Sequence, residues 1–194
     1  MKKFNSFKGI IHIIFLTTLL VLTACKEKNA IAQGASVSQT KVKPPKIDIH
    51  TAIFTDNMEA LKQHIAAGSN LNEKDPMGGS SPLIVACLFG KTEMAKVLIE
   101  AGADLNFQNN EGSTALHTAS FFCHPEIVKM LLDKGANRTI KNKYGSTALQ
   151  SVAGTFADIK SSYDMLGKML APMGLKLDYA YIQKTRPEIA AMLN

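Results

Sequence analysis

The sequence predicts an all-α fold, a solenoid of about four helix-turn-helix repeats that ends in a capping helix and follows a disordered linker. The first indication is a segment that returns with a fixed period, because residues 81–90 align with residues 114–123. The second is glycine spacing, since Gly102 and Gly135 are separated by the same period and Gly68 precedes Gly102 by one position more. The third is that apolar residues recur at helical spacing ahead of these glycines, which indicates short helices with one buried face.

Residues 47–194 are expected to form one repeat domain in which each unit holds two short helices. The second helices of the second and third units are predicted over residues 93–100 and 126–133. A glycine follows each second helix, at a position where a left-handed C-cap favours this residue. One unit cannot bury its own apolar face, so the fold should depend on stacking between neighbours. The four units would span residues 47–75, 76–108, 109–141 and 142–178.

The two ends of the array depart from the repeat. The spacing from Gly135 to Gly174 exceeds the period by six positions, so the fourth unit carries a six-residue insertion that either lengthens its helices or forms a protruding loop. Residues 186–193 match only the second-helix pattern of residues 124–131, which predicts a C-terminal capping helix. The first unit is polar enough to be the N-terminal cap, and its polar residues are Asp48, Asn57, Glu59, Lys62, Gln63 and His64.

The period and the opening of each unit carry a family resemblance. Ser81-Pro82-Leu83 and Thr114-Ala115-Leu116-His117 are similar to a Thr-Pro-Leu-His opening, and together with the period this pattern resembles the ankyrin repeat. The resemblance covers about three-quarters of the chain. It implies a β-turn and two antiparallel helices per unit, and a concave surface that binds another protein rather than a catalytic pocket.

The resemblance also implies which residues would bind that protein. In ankyrin proteins the two residues before the inter-helix turn and the tips of the hairpins point toward the groove. The pre-turn pairs are Phe54 with Thr55, Leu88 with Phe89, and Phe121 with Phe122, and the tips supply Met77, Asn110, Glu111, Lys143 and Tyr144. The alternative is that one residue of a pair packs between neighbouring repeats, which we expect for about half of them.

Residues 1–24 are predicted to be a lipoprotein signal peptide. Three lysines precede an apolar stretch over residues 10–22, which is shorter than the roughly 20 residues that span a bilayer. Leu22-Thr23-Ala24-Cys25 resembles a bacterial lipobox, which implies that Cys25 is lipidated and becomes the first mature residue. The alternative is an ordinary signal peptide followed by an incidental cysteine.

Residues 25–46 are expected to form a flexible linker from the lipidated Cys25. This segment is polar, lacks aromatic residues and ends in Pro44-Pro45-Lys46, a composition that does not support a packed core. Lys26 is not the aspartate that retains many enterobacterial lipoproteins in the inner membrane. By analogy this favours an outer-membrane lipoprotein that faces the periplasm, with surface exposure as the alternative.

Charge gives no indication of nucleic-acid binding. The formal net charge of +6 falls to +3 once the three lysines of residues 1–24 are removed, and the remaining chain has no block of five like charges. We therefore expect a monomer that binds an unidentified protein, contacts the membrane only through its lipid anchor and binds no nucleic acid.

The residues that resemble metal or catalytic groups are better explained by structure. His50 and His117 stand where the ankyrin motif has a histidine that bonds backbone groups, and His124 falls on an inter-helix turn, where it would act as a cap. Histidine and cysteine spacings of the zinc type are absent, so neither a metal nor a cofactor is expected. Cys87 and Cys123 are separated by three positions more than the repeat period, so we expect two buried free thiols rather than a disulfide.

Three functions remain in competition at this point. The first is a lipid-anchored envelope protein whose repeat stack binds a protein partner. The second is a periplasmic immunity or inhibitor protein that occludes one enzyme or toxin. The third, an enzyme, is the least supported and would need the polar residues of the insertion, which are Asp158, Lys160, Ser161, Ser162 and Tyr163.

Overall fold

The computed structural model describes residues 42–194. The predicted signal peptide, Cys25 and most of the predicted linker lie outside the described residues. The described part is helical, with no residue in a strand, which confirms the all-α prediction. The α-helices are α1 (Ile49–Phe54), α2 (Met58–Ala66), α3 (Pro82–Leu88), α4 (Thr92–Glu100), α5 (Ala115–Phe121), α6 (Pro125–Asp133), α7 (Gln150–Ala153), α8 (Phe156–Leu170) and α9 (Tyr179–Leu193), and a 3₁₀ turn over Ala171–Met173 follows α8.

The helices stack in two layers. Helices α1, α3, α5 and α7 pack in sequence as one layer, while α2, α4, α6 and α9 pack in sequence as the other. Large side chains that the two layers bury completely include Leu61, Leu83, Leu98, Leu116 and Leu131. The core is therefore continuous from repeat to repeat, as the stacking argument requires. Within residues 42–194, no helix combines the length and the apolar character that crossing a membrane would need.

Local sequence signals determine the start of each first helix. The side chain of Asp48 accepts from Thr51 N at 2.9 Å, and Ser81 caps α3 in the same way while Pro82 occupies its first position. Thr114 and His117 form a reciprocal capping box at the start of α5. These interactions satisfy amide groups that lack a partner within the helix. Gly68, Gly102 and Gly135 follow second helices with a positive φ, which confirms their left-handed caps, whereas Gly174 has a positive φ but ends the 3₁₀ turn after α8.

The fourth repeat differs from its prediction. Helix α9 packs against α7 and α6, so it occupies the place of the fourth second helix, and the expectation of a six-residue insertion followed by a separate cap is wrong. In the repeat register, Gln150 corresponds to His117 of the third repeat, and Ile189 corresponds to Ile127. The stretch of chain between these two positions is several times longer in the fourth repeat than in the third. Helix α8 and the loop after it are thus a long insertion between α7 and α9. The last helix is both the second helix of this repeat and the C-terminal cap.

One of the polar residues assigned to the N-terminal cap lies inside the fold. His64 is only 6% exposed. Its ring nitrogens lie 3.0 Å from Ser69 Oγ and 2.9 Å from Ile47 O. Gln63 donates to Lys43 O at 2.9 Å, so residues within the predicted linker already contact α2.

Candidate protein-binding surface

The tips of the inter-repeat hairpins are held by one aspartate or asparagine in each repeat. Asp75 accepts hydrogen bonds from the amides of Met77, Gly78 and Ser80. Asn109 and Asn142, at the equivalent positions, each accept from the amides two and four residues later. Side chains of this type stabilise tight turns by replacing backbone partners. The tips are consequently fixed turns.

Backbone hydrogen bonds join each tip to the next. Asn110 N donates to Gly78 O, and Lys143 N donates to Glu111 O, both at 2.9 Å. Met77 and Tyr144 stand at the two ends of this row, 67% and 75% exposed. Tyr144 also donates its hydroxyl to Glu111 at 2.7 Å. The five predicted tip residues therefore lie in one hydrogen-bonded row, and all five are exposed.

The motif histidines connect repeats rather than facing a ligand. His50 Nε2 lies 3.2 Å from Ser80 O, and His117 Nε2 lies 3.0 Å from Ser146 O in the following repeat. Burial lowers the pKa of His117, an effect that the bond to Ser146 opposes. Their predicted structural role is confirmed. His124 is the N-cap residue of α6, but its side chain does not bond the helix amides; the ring packs over Gly90 instead.

The predicted aromatic stripe is only partly available to a partner. Phe54 and Phe89 of neighbouring repeats meet edge to face with ring centroids 5.3 Å apart, and both remain half-buried, as does Leu88. Phe122 is only 7% exposed, so it is not an exposed member of the stripe and agrees with the alternative that one residue of a pair is packed in the interior. Phe121 is half-buried, and its ring stacks on Tyr163 of α8 at 4.5 Å.

The loop after α8 and the first turn of α9 form one wall of a cleft. The cleft has a volume of about 280 Å³ and lies between the end of α3 and the segment that leads into α9. Leu88, Phe89 and Phe122 line one side, and Leu175, Leu177 and Tyr181 line the other. Leu88, Phe89 and Phe122, three of the predicted binding residues, are thus part of a largely apolar cleft that the loop after α8 and the start of α9 complete.

Tyr163 and Arg186 attach the insertion to the stack. The Tyr163 hydroxyl donates to Phe121 O at 2.5 Å and accepts from Arg186 Nη1 at 3.1 Å. Burial raises the pKa of Tyr163 to about 12, so the hydroxyl keeps its proton. Arg186 Nη2 also donates to Gly154 O at 3.2 Å, directly after the C-terminal end of α7. Apart from the departure of the fourth repeat from the period, no sequence signal indicated this cluster.

The polar residues considered for catalysis have separate local partners. Asp158 forms a capping box with Thr155, and Lys160 pairs with Asp164 on the next turn at 2.9 Å. Ser161 is exposed on α8, whereas Tyr163 is completely buried. The arrangement does not bring these side chains together around a common point.

The thiols and the acidic residues show no further chemistry in the described part of the chain. Cys87 and Cys123 are both buried and free, as predicted. Burial raises the pKa of both thiols, that of Cys123 to about 11, so both stay protonated at neutral pH. Residues 42–194 contain no group of three or more histidine, cysteine, aspartate or glutamate side chains placed to hold a metal ion.

Comparison with known proteins agrees with this architecture. Residues 49–142 match the family model of ankyrin repeats, in three copies. The human DNA-binding protein RFXANK is 32% identical over 83 residues, which cover 43% of this chain and 32% of that protein. Human protein phosphatase 1 regulatory subunit 27 is 33% identical over 64 residues, 33% of this chain and 41% of that protein.

A solved structure gives the same result. The ankyrin repeat domain of Bcl-3 superposes with a TM-score of 0.52 at 32% identity, over 53% of this chain and 45% of that one. The chain spans less than half the length of each of these three relatives. Residues 49–142 are therefore ankyrin repeats, and the two-layered stack that contains them is an ankyrin-type solenoid.

Proposed function

We propose that this chain is a lipid-anchored protein of the bacterial cell envelope whose ankyrin groove binds another protein. The observation that carries the binding proposal is the row of hairpin tips. Met77 and Tyr144 hold large apolar side chains in water, 67% and 75% exposed, on turns that backbone hydrogen bonds fix in place. Exposed tyrosine on a rigid backbone is typical of interface hot spots, because little conformational entropy is lost on binding.

The groove beside the tips supplies apolar contact area. Phe54, Leu88 and Phe89 are half-buried, and two of them open into the cleft of about 280 Å³. A partner would cover their exposed edges as it contacts the tips. Partly exposed apolar residues grouped in a concave surface are a common feature of protein interaction sites.

The binding surface can be tested by site-specific photo-crosslinking in intact cells. A photoreactive residue at Tyr144 or Met77 should capture one stoichiometric partner, whereas the same residue at Glu126, exposed on α6 of the other layer, should not. Equal capture from all three positions would contradict a specific groove. Capture of an enzyme whose activity falls on binding would identify the chain as an inhibitor.

The lipid anchor rests on the sequence of residues 22–25 and has its own test. Two acyl chains suffice for stable attachment, at about 0.8 kcal/mol per buried methylene. Cys25→Ser should block the lipoprotein cleavage route and leave an uncleaved precursor, detected by mass and by loss of palmitate labelling. If the variant is processed and fractionates like the natural protein, Cys25 is not the anchor.

A further inference from the structure

Helix α8 is attached to the stack in an unusual way. Its 15 residues include one buried side chain, Tyr163. Among the helices of residues 42–194, α8 alone packs extensively against no other α-helix. Its one extensive contact is with the 3₁₀ turn that follows it. Besides the bond between Tyr163 and Arg186, contacts to Tyr179 hold α8 near α9: Asp164 accepts from the Tyr179 hydroxyl at 2.8 Å, and Phe156 lies 5.9 Å from the Tyr179 ring.

Tyr163 lies on a residue that the sequence assigns to partner binding. Its ring stacks on Phe121 with a centroid distance of 4.5 Å and an interplanar angle of 30°. Phe121 occupies the same pre-turn register as Leu88, which lines the open cleft. The insertion therefore covers Phe121 in the third repeat, whereas the equivalent Leu88 in the second repeat faces the open cleft.

We propose that α8 is an internal ligand of the groove, and that a partner segment presenting a tyrosine displaces Tyr163 from its site between Phe121 and Arg186. This inference rests on the proposed binding function and names the chemistry of its partner. While α8 is in place, Tyr163 covers the Phe121 ring, so this pre-turn residue of the third repeat is not offered to a partner. Once α8 is displaced, the groove extends over the third repeat as well.

The polar groups of the site specify a hydroxyl. Phe121 O accepts from the Tyr163 hydroxyl at 2.5 Å, and Arg186 Nη1 donates to the same oxygen at 3.1 Å. A phenylalanine would leave both groups without this partner, and buried unpaired groups disfavour binding. A carboxylate could accept from Arg186, but it would meet the carbonyl oxygen of Phe121 without a proton to share. A phenolic hydroxyl satisfies both.

The other helices of the stack stay in contact with one another when α8 leaves. Helix α9 packs directly against α5, α6 and α7. Arg186 retains its bond to Gly154 O at 3.2 Å when the tyrosine leaves. Segments with few buried contacts open at lower free energy than the core around them.

The first test uses a synthetic fluorescent peptide of residues 155–173 as the probe. The full chain carrying Tyr163→Ala should bind this peptide about tenfold more tightly than the natural chain does, because its own α8 no longer fills the site. A peptide carrying Tyr163→Phe is the matched control and should lose most of this affinity. Equal binding to both proteins, or equal binding of the two peptides, would overturn the proposal.

The second test needs no variant and covers the case in which Tyr163→Ala does not fold. In native-state hydrogen exchange on the natural chain, the amides of α8 should exchange about 100-fold faster than those of α5 after correction for intrinsic rates, because α8 opens locally. Exchange of α8 only together with α5 would overturn the proposal. Neither test uses the partner, so a failed crosslinking experiment beside successful peptide binding would reject the proposed function alone.

Discussion

Arg186 and Tyr163, far apart in the chain, are joined by a hydrogen bond of 3.1 Å in the interior of the fourth repeat. Arg186 is only 4% exposed, and no carboxylate of the described residues lies within ion-pair distance of it. Its other partners are Gly154 O and Ser151 O at the end of α7. The cation thus bonds the carbonyl end of a helix, where a positive charge is favoured.

Arg186→Ala should destabilise the domain. The change leaves the two α7 carbonyls and the Tyr163 hydroxyl without their donor and opens a cavity, so we expect the free energy of unfolding to fall by about 2–4 kcal/mol. Urea denaturation followed by circular dichroism measures this. Lys184→Ala, at an exposed position of α9, is the control and should stay within about 0.5 kcal/mol of the natural chain. A similarly small effect of Arg186→Ala would show that the cluster does not hold the repeat.

Substitution by glycine should change the free energy of unfolding differently at two buried cysteines. Cys123 has φ +58°, the left-handed conformation that Gly90 takes at the equivalent turn with φ +63°, whereas Cys87 lies within α3. Cys123→Gly loses a buried thiol but relieves about 1–2 kcal/mol of backbone strain. Cys87→Gly loses the same group and adds about 1 kcal/mol of helix cost.

The free energy of unfolding measured in urea should therefore fall less for Cys123→Gly than for Cys87→Gly, by about 2 kcal/mol. Equal losses would mean that the turn at Cys123 is unstrained. Gly90→Ala makes the reverse change, since it adds a side chain at the equivalent turn. It should be markedly destabilising, because the added Cβ would lie 2.6 Å from the His124 ring.

The repeats were predictable because each is specified locally. Apolar spacing, glycine caps and the openings at Ser81 and Thr114 act within short stretches of chain, and the structure confirms them. The fourth repeat was not predictable in the same way. Pro187 marks the usual start of a second helix, as Pro125 does in α6, but α9 begins two turns earlier at Tyr179 and contains Pro187.

The candidate site was predictable in part for a related reason. Tip positions follow from the repeat register, so Met77 and Tyr144 are exposed as expected. Burial of Phe122 and coverage of Phe121 depend on where α8 returns to the stack, and that is determined by Tyr163 and Arg186. Tyr163 belongs to no periodic pattern, and Arg186 stands where the matching segment of the third repeat has His124, so the repeat does not predict an arginine there. The residues that hold the tips do recur at nearly the repeat period, as Asp75, Asn109 and Asn142 with spacings of 34 and 33, and could have been found from the sequence.

The carboxylate of Asp75 should make the free energy of unfolding depend on pH. Burial alone would raise the pKa of Asp75, but bonds from the amides of Gly78, Ser80 and Met77 outweigh it and hold the pKa below its usual value. The stabilisation is thus complete above the unfolded-state pKa of about 3.9 and is lost as the pH falls through the folded-state pKa. Asp75→Asn should cost about 1 kcal/mol at pH 7, because one amide loses its acceptor.

The two proteins should converge in stability once the pH falls below the lowered folded-state pKa of Asp75, where the carboxylate of the natural chain is protonated. Urea titrations at several pH values measure the difference. Asparagine is the residue that the next two repeats already have at this position, so the turn itself should persist. A difference that does not change with pH would show that the charge of Asp75 contributes nothing.

Phe122 and Tyr144 separate the core from the binding surface. Phe122 is 7% exposed and Tyr144 is 75% exposed, although both belong to the surface that the sequence assigns to the partner. Phe122→Ala should lower the free energy of unfolding by about 3–5 kcal/mol because it empties a packed position. Tyr144→Ala should leave it within about 0.5 kcal/mol.

Tyr144 should matter more than Phe122 for capture of the partner, when variants are compared at equal folded concentration. Tyr144→Ala together with Met77→Ala removes the two largest exposed side chains of the tip row, and a central hot spot contributes about 2 kcal/mol or more. Crosslinking from a third tip position, Lys143, should therefore fall at least tenfold, although the melting temperature is unchanged. Undiminished crosslinking in this folded double variant would show that the tips do not contact the partner. Binding would then have to be assigned to the cleft beside Phe89 and Leu177.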